Sequence, residues 1–153
     1  MIKLEYNYVL TAAVISWALA QLIKTVVFFI QNRSFNVERL IGSGGMPSSH
    51  SALVVSATVA VARMSGVAST EFAVCFLFAM VVMYDAMGVR RAAGQHAHEI
   101  NKMNKLIEST QLNTIFGYDY KELKEFLGHT PFEVLGGAAL GVAMAFIIPM
   151  QSV

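Results

Sequence analysis

Four long apolar runs dominate the sequence and restrict what the chain can fold into. Crossing the roughly 30 Å hydrocarbon core of a bilayer takes about 20 mostly apolar residues in a helix. The runs cover about Tyr8–Ile30, Ser49–Val67, Glu71–Val89 and Pro131–Met150. Backbone polar groups in lipid must be satisfied inside the segment, which favours a helix for runs of this length. We therefore predict an all-α integral membrane bundle of about four transmembrane helices plus short interfacial helices, formed by residues 1–153 as a single domain.

The composition supports a membrane protein and excludes several other classes. Hydrophobic residues make up 56% of the chain, charged residues only 14%, and the mean hydropathy is +0.56, values that a soluble domain rarely reaches. The net charge of +1 provides no basic field to hold nucleic acid. Cys75, the single cysteine, cannot form an intrachain disulfide and is interpreted as a small core residue. The first apolar run has no small-residue cleavage site, so we expect a retained anchor.

A polar stretch at about Arg90–Gly128 separates the third and fourth apolar runs. It contains two weakly amphipathic pieces, His98–Ile107 and Tyr120–Leu127, which we expect to lie along the membrane interface. In the fourth run, Gly137 and Gly141 have the G-x-x-x-G spacing that lets two helix backbones approach closely. This spacing predicts packing rather than chemistry.

The distribution of basic residues predicts the orientation in the membrane. Lysine and arginine beside the spans favour the cytoplasmic side. One side of the predicted bundle holds Arg33, Arg39, Arg90, Arg91, Lys102, Lys105, Lys121 and Lys124, whereas the other holds only Lys3 and Arg63. The first side, which holds the candidate active site, is therefore predicted to face the cytoplasm. We expect the protein to lie in the cell membrane.

The most informative string is Gly42-Ser-Gly-Gly-Met-Pro-Ser-Ser-His-Ser-Ala52, a glycine-rich loop that runs into a helix. Exposed amides at such a helix start form an anion site, and flexible glycines let backbone N–H groups approach a phosphate. Ser48 and Ser49 are candidate phosphate-binding residues, and His50 would then lie beside the phosphate. An ordinary capped helix after a flexible loop explains the same string.

A second histidine stands at the start of the fourth run, in Gly128-His-Thr-Pro-Phe-Glu133. His129 and Glu133 are four residues apart, so the carboxylate can accept the ring N–H and leave the other ring nitrogen for nucleophilic attack. Thr130-Pro-Phe-Glu133 is also a capping box with proline at the first helical position. Capping explains Glu133 but not His129, and both interpretations can hold together.

Ionisable residues near the helix ends complete the candidate set. Lys24 and Asp85 lie within apolar runs, where a charge is costly and therefore a functional candidate, although snorkelling or a structural ion pair explains each as well. Asp85 is a candidate structural or proton-relay residue. Arg90 and Arg91 follow the third run, and paired guanidinium groups bind phosphate oxygens, although arginines also mark a cytoplasmic flank.

A metal site is not favoured by the sequence. His96, His98 and Glu99 stand close together. No further ligand cluster supports a metal there, and a solvated helix face is the better interpretation. We expect neither a metal nor a cofactor.

Three strings carry a resemblance to a known family: GGMPSSHSA from Gly44, DAMGVRRAAG from Asp85 and GHTPFEVLGG from Gly128. PSSH, arginines after a spanning helix and a later histidine with an acid four residues on resemble the type-2 phosphatidic acid phosphatase superfamily. That superfamily includes bacterial acid phosphatases and vanadium haloperoxidases. The three strings look more closely like its small divergent branch, related to acid phosphatases and vanadium haloperoxidases, and the likeness spans essentially the whole chain.

The resemblance implies roles for the candidate residues. It implies that His129 is a nucleophile that forms a phosphohistidine, that Glu133 orients it and that His50 is the general acid. Phosphate-holding cations would be Lys24 and Arg33 from the first motif and Arg90 or Arg91 from the third, with no metal. The sequence departs from the family pattern in several places: Ser49 replaces a glycine, Glu133 replaces an aspartate, Leu123 replaces an arginine, and four spans replace six.

These inferences predict a metal-independent phosphatase that acts on a lipid phosphate at the cytoplasmic face, with phosphatidylglycerophosphate as the expected substrate. A non-catalytic membrane protein that binds anionic lipid or a partner through the same basic pocket is the alternative. A proton-coupled carrier built around Lys24 and Asp85 would need a polar path that the spans do not supply. The sequence leaves open whether one chain suffices or a homo-oligomer forms.

Overall fold

The structure, a computed structural model of the chain, describes residues 6–33, 44–109, 121–125 and 127–150. Within these residues all regular structure is helical, which confirms the predicted all-α fold class. The helices are α1 (Tyr8–Asn32), α2 (Ser49–Ser65), α3 (Thr70–Met87), α4 (Val89–Glu108) and α5 (Pro131–Ile147). Four of them match the four predicted spans to within a few residues. By length and apolarity, Tyr8–Ile30 and the continuous stretch Thr70–Glu108 are long enough to cross a membrane, and Pro131–Ile147 is a shorter apolar helix.

Helix α2 is the centre of the bundle, because it packs against α1, α3 and α5. Its contact with α5 depends on two glycines. A Cβ atom at Gly137 would lie 2.2 Å from the carbonyl oxygen of Ser48, and one at Gly141 would lie 2.6 Å from that of Ala52. The close backbone approach predicted from the G-x-x-x-G spacing is therefore present, and it is made with α2.

The end of the bundle at the start of α1 is closed by apolar packing and one arginine. Tyr8, Ala12, Ala60, Met144 and Ile148 form a buried cluster. Beside them, Arg63 donates hydrogen bonds to the Tyr8 hydroxyl and the Ala145 carbonyl. These contacts join α1, α2 and α5.

Helix α4 leaves the bundle at Gly88 and contacts only α3 among the described helices. Residues 121–125 and 127–128 lie against it. The buried Asn101 amide donates to the Leu123 carbonyl (2.9 Å) and accepts from the Leu123 N–H (3.0 Å). Gly94 allows the approach, since a Cβ there would lie 2.5 Å from the Glu125 carbonyl oxygen.

One interfacial prediction needs correction. His98–Ile107 does form part of an amphipathic helix, but residues 121–125 are not helical. The physical reason is that the Leu123 backbone is hydrogen-bonded by the Asn101 side chain rather than by a helical turn. Tyr120 and Phe126 of the predicted amphipathic piece lie outside the described residues, as do Lys3, Arg39, Gly42 and Ser43.

Candidate active site

His129 and Glu133 meet at the start of α5, in the contact expected from their spacing. The His129 ring Nδ1 lies 3.0 Å from Oε2 of Glu133. The same carboxylate oxygen accepts the Thr130 N–H at 3.0 Å, and the Thr130 hydroxyl accepts the Glu133 N–H. The capping box and the histidine contact therefore exist together. A carboxylate on Nδ1 places the ring proton there and leaves the lone pair on Nε2.

The backbone around His129 is held by two neighbouring elements. The His129 N–H donates to the Ala86 carbonyl at the end of α3 (2.9 Å). The preceding Gly128 has φ +83°, and a Cβ there would lie 2.3 Å from the Arg91 nitrogen. A side chain at this position is excluded both by the turn and by the contact. The His129 side chain is only 2% exposed.

His50 stands on the neighbouring helix end, as the second residue of α2. Its ring centroid lies 6.4 Å from that of His129, and the two ring planes make an angle of 62°. Both rings line one cavity of about 170 Å³. The two histidines are therefore close enough to act on one phosphoryl group.

The two serines before His50 belong to the helix cap. The Ser48 hydroxyl accepts the Ser51 N–H at 3.3 Å, and the Ser48 N–H donates to the Glu133 carbonyl at 2.9 Å. Ser48 and Ser49 are buried and line neither of the cavities described below. Their predicted role in phosphate binding stays a prediction, whereas capping by Ser48 is observed.

Lysine and arginine charges act on both histidines. The charges of Lys24 and Arg90 reach His50 and His129. The Lys24 side chain is buried, and its stem lies against Gly45, where a Cβ would be 3.2 Å from its Cγ. The glycine-rich loop thus lies over the lysine. Within the described part of the chain, Lys24 and Arg90 are therefore the cations whose charges act on the candidate nucleophile.

The structure also places the other three charged candidates, Asp85, Arg91 and Arg33. Asp85 pairs with Arg90, with 2.6 Å between Oδ2 and Nε, so the predicted ion pair is with this arginine. Arg91 is exposed and lines the larger of the two cavities beside His129. Arg33 follows the end of α1, is exposed, and lines neither cavity.

Two cavities meet at His129, which lines both. The smaller, of about 170 Å³, lies between the two histidines and α3. Its other lining residues are Val81, Val82, Asp85, Ala86, Arg90 and Gly128. The larger, of about 500 Å³, lies toward α4, and its lining includes the polar side chains of Arg91, Gln95, His98, Glu99 and Glu125.

Comparison with known proteins identifies the family of the chain. Residues 5–144 match the model of a family described as the Divergent PAP2 family. The chain belongs to the Divergent PAP2 family. It is 36% identical over 152 residues to the uncharacterized membrane protein YuiD of Bacillus subtilis (strain 168), which covers 95% of this chain and 96% of that protein. No solved structure matches the chain. The predicted resemblance is confirmed, and the chain is a membrane protein of a phosphatase-related family.

Burial sets the protonation of the candidate nucleophile in this divergent PAP2 protein. It lowers the pKa of His129 below the usual 6.5, and this effect outweighs the contact with Glu133, which acts in the opposite direction. The charges of Lys24 and Arg90 lower it further. His129 is therefore neutral at neutral pH, the form that a nucleophile requires.

Over residues 6–33, 44–109, 121–125 and 127–150, no group of three or more His, Cys, Asp or Glu side chains is placed to hold a metal. His98, one of the residues considered for such a site, contacts Glu125 at 2.8 Å.

Sequence reasoning did not find the residues that position the site from α4. Asn101 also donates to Glu125 (2.7 Å) and lowers the pKa of that carboxyl, with a smaller contribution from His98. Gly94 and Gly128 allow the segment that carries His129 to lie against α4. An asparagine in an amphipathic helix is a sequence signal for a buried polar contact. It does not identify the partner, which lies 22 residues away in the chain.

Proposed function

We propose that this divergent PAP2 protein is a membrane phosphatase that uses His129 as nucleophile on a lipid phosphate. The observation that carries the proposal is the buried His129 ring, held through Nδ1 by Glu133 and accompanied by His50, Lys24 and Arg90. A neutral imidazole with an orienting carboxylate is the arrangement that histidine nucleophiles use. Two cations beside it suit the charge of a transferring phosphoryl group.

The first chemical step forms a phosphohistidine. The Nε2 lone pair of His129 attacks phosphorus, and the bond between phosphorus and the lipid oxygen breaks. His50, in its protonated form, gives its proton to that oxygen, so the lipid leaves as an alcohol. Glu133 stabilises the positive charge that develops on the ring, while Lys24 and Arg90 face the equatorial oxygens.

The second step returns the histidine. A water molecule attacks phosphorus, His50 takes a proton from this water, and the bond between phosphorus and Nε2 breaks. Inorganic phosphate leaves and both histidines are restored. The larger cavity is the proposed route for this water, because His129 lines it together with several polar side chains.

The cytoplasmic headgroup layer is the proposed location of the substrate phosphate. The candidate residues lie at helix ends, on the side of the bundle where Arg90, Arg91, Lys102 and Lys105 collect. A substrate with buried apolar tails can present its phosphate there. Phosphatidylglycerophosphate fits this location and is the proposed substrate.

The decisive experiment measures phosphate release by purified protein in detergent with EDTA present. The substrates are phosphatidylglycerophosphate, phosphatidic acid and a polyprenyl diphosphate, and the variants are wild type, His129→Ala and His96→Ala. His96 is an exposed histidine that lines neither cavity, which makes it the matched control. We expect release from wild type and His96→Ala and a loss of at least about 10³-fold in His129→Ala.

Protein quenched in alkaline SDS should carry a phosphohistidine that is stable to base, labile to acid and absent from His129→Ala. Release that survives in His129→Ala would overturn the assignment of the nucleophile. No release from any lipid by folded wild type that still binds one of them would favour the alternative of a non-catalytic lipid-binding protein.

The role of His50 has its own test. With p-nitrophenyl phosphate the leaving group needs no proton, so His50→Ala should lose much less activity on this ester than on a lipid phosphate. Equal losses on the two substrates would contradict the role of His50 as general acid.

The orientation in the membrane is tested on sealed and inverted membrane vesicles. Activity confined to the outer face of the cell membrane would overturn the cytoplasmic location.

A further inference from the structure

Helix α4 carries an apolar stripe that no described helix covers. Val89, Ala93, Ile100, Met103 and Ile107 follow one another at spacings of three, four or seven residues, so they share one face of the helix. Val89 is 66% exposed and Met103 is 62% exposed. His96 falls on the same face. An isolated exposed side chain is ordinary, but a stripe five turns long on an otherwise polar helix is not.

The stripe is distinct from the face by which α4 holds the rest of the protein. A second face, about a quarter turn away, lies against residues 121–125 and Leu127. It is formed by the buried residues Gly94, Ala97, Asn101 and Asn104. Lys102 and Lys105 belong to a third, solvent-facing side. Among the described residues, the chain thus covers one side of α4 and leaves the apolar side open.

The position of α4 identifies what covers the stripe. α4 begins one residue after α3, a helix of the membrane bundle, and it contacts none of the other described helices. The stripe therefore starts at the level where α3 leaves the bilayer. Basic residues accompany it: residues 89–109 and 121–128 contain six Arg and Lys against four Glu.

We propose that the apolar stripe of α4 is seated in the headgroup–acyl boundary of the bilayer that α3 crosses, and that its partner is a surface containing anionic lipid. An in-plane helix of this kind buries its apolar face some 5–10 Å into the boundary while basic residues meet the headgroups. The proposal goes beyond the phosphatase function and holds whether or not the site turns over phosphate.

This seating fixes the depth of the site. The start of α4 packs against Gly128, the residue before His129, and Asn101 binds the segment that leads to it. A helix fixed in the interface therefore places His129 at the level of lipid headgroups.

Site-directed spin labelling tests the proposal on the full chain in vesicles. Cys75 is first replaced (Cys75→Ser), and labels are then attached at Met103→Cys on the stripe or at Lys102→Cys, an adjacent exposed position on the polar side. The readout is accessibility of each label to oxygen relative to a water-soluble nickel complex. We expect a several-fold higher oxygen-to-nickel ratio at position 103 than at position 102, and a larger contrast in vesicles that contain phosphatidylglycerol than in pure phosphatidylcholine.

Equal ratios at the two positions would overturn the proposal, because the stripe would then lie in water. Dipolar broadening at position 103 that disappears on dilution with unlabelled protein would also overturn it, in favour of a second copy on the stripe. If the difference in ratio between positions 103 and 102 does not change with phosphatidylglycerol, the proposal that the partner surface contains anionic lipid is overturned. If Met103→Cys does not fold, the pair Ile107→Cys and Lys105→Cys replaces it with the same expectations.

Discussion

Each end of the helical bundle holds an arginine, and the two guanidinium groups differ in their contacts and exposure. Arg63 is partly buried and held by protein acceptors: it donates to the Tyr8 hydroxyl and the Ala145 carbonyl, and its guanidinium lies 4.9 Å from the centre of the Phe146 ring. Arg90 makes one ion pair, with Asp85, is half exposed, and lines a cavity shared with two histidines. A guanidinium held by protein acceptors stabilises the fold, whereas one that lines a cavity can bind a ligand.

The largest expected loss of activity comes from Glu133, which lies at the end of the bundle that holds the candidate active site. Glu133→Ala removes the acceptor of the His129 Nδ1 proton and one side of the capping box, so we expect a loss of roughly 10²–10⁴-fold in kcat. Both the Nδ1 and the Thr130 N–H contacts are made by Oε2. In Glu133→Gln one amide oxygen can accept both, so only the charge is lost and the decrease should be smaller. Equal activity losses in the two variants would show that charge matters more than position.

The arginine pair tests the comparison directly. Arg90→Ala should lower kcat roughly 10²–10³-fold, as loss of one transition-state donor does, with an unchanged melting temperature. Arg63→Met should leave kcat of the folded protein unchanged and lower stability by about 1–3 kcal/mol, because a charged hydrogen-bond donor is lost. Phosphate release and thermal denaturation in detergent are measured on both. The comparison fails if the two variants lose activity and stability in the same proportion.

Between the two ends, the α2–α5 contact should depend on one glycine and not on its neighbour. Gly137→Ala places a Cβ against the Ser48 backbone, which cannot move away, and we expect a loss of about 1–3 kcal/mol. At Gly136 the nearest atom is the Met46 Cε, the end of a flexible side chain, at 3.0 Å. Gly136→Ala should therefore be tolerated, and thermal denaturation distinguishes the two. Similar melting temperatures for both variants would contradict the close approach.

The smallest effect concerns pH. Burial lowers the pKa of His129, so the neutral nucleophile persists below pH 6.5 and activity declines only as the pH falls through the lowered pKa. Glu133 acts in the opposite direction and raises this pKa. Glu133→Gln should therefore move the acidic limb of kcat/KM to still lower pH than in wild type. Comparing the two profiles cancels the titration of the substrate, and a shift to higher pH would contradict the assignment.

Much of the fold was predictable because membrane helices are specified locally. Apolar runs of sufficient length, Pro131 at a first helical turn and the Gly137–Gly141 spacing each express a constraint that acts within a few residues. The same holds for the contact between His129 and Glu133, which lie one helical turn apart. The segment at 121–125 was predicted wrongly, because its backbone is held by a side chain more than 20 residues away.

The sequence by itself determined the membrane character, the helices and the pairing of His129 with Glu133, since each depends on composition or short-range spacing. Its motifs carried the resemblance to the family, and that resemblance implies the role of His129 as nucleophile. Only the tertiary structure decided which cations accompany the histidines, placing Lys24 and Arg90 beside them, Arg91 on the outer cavity and Arg33 away from both. It also decided that Ser48 caps a helix and that α4 holds the chain before His129. These outcomes depend on contacts between segments far apart in the chain, and such contacts follow from how helices pack rather than from any local pattern.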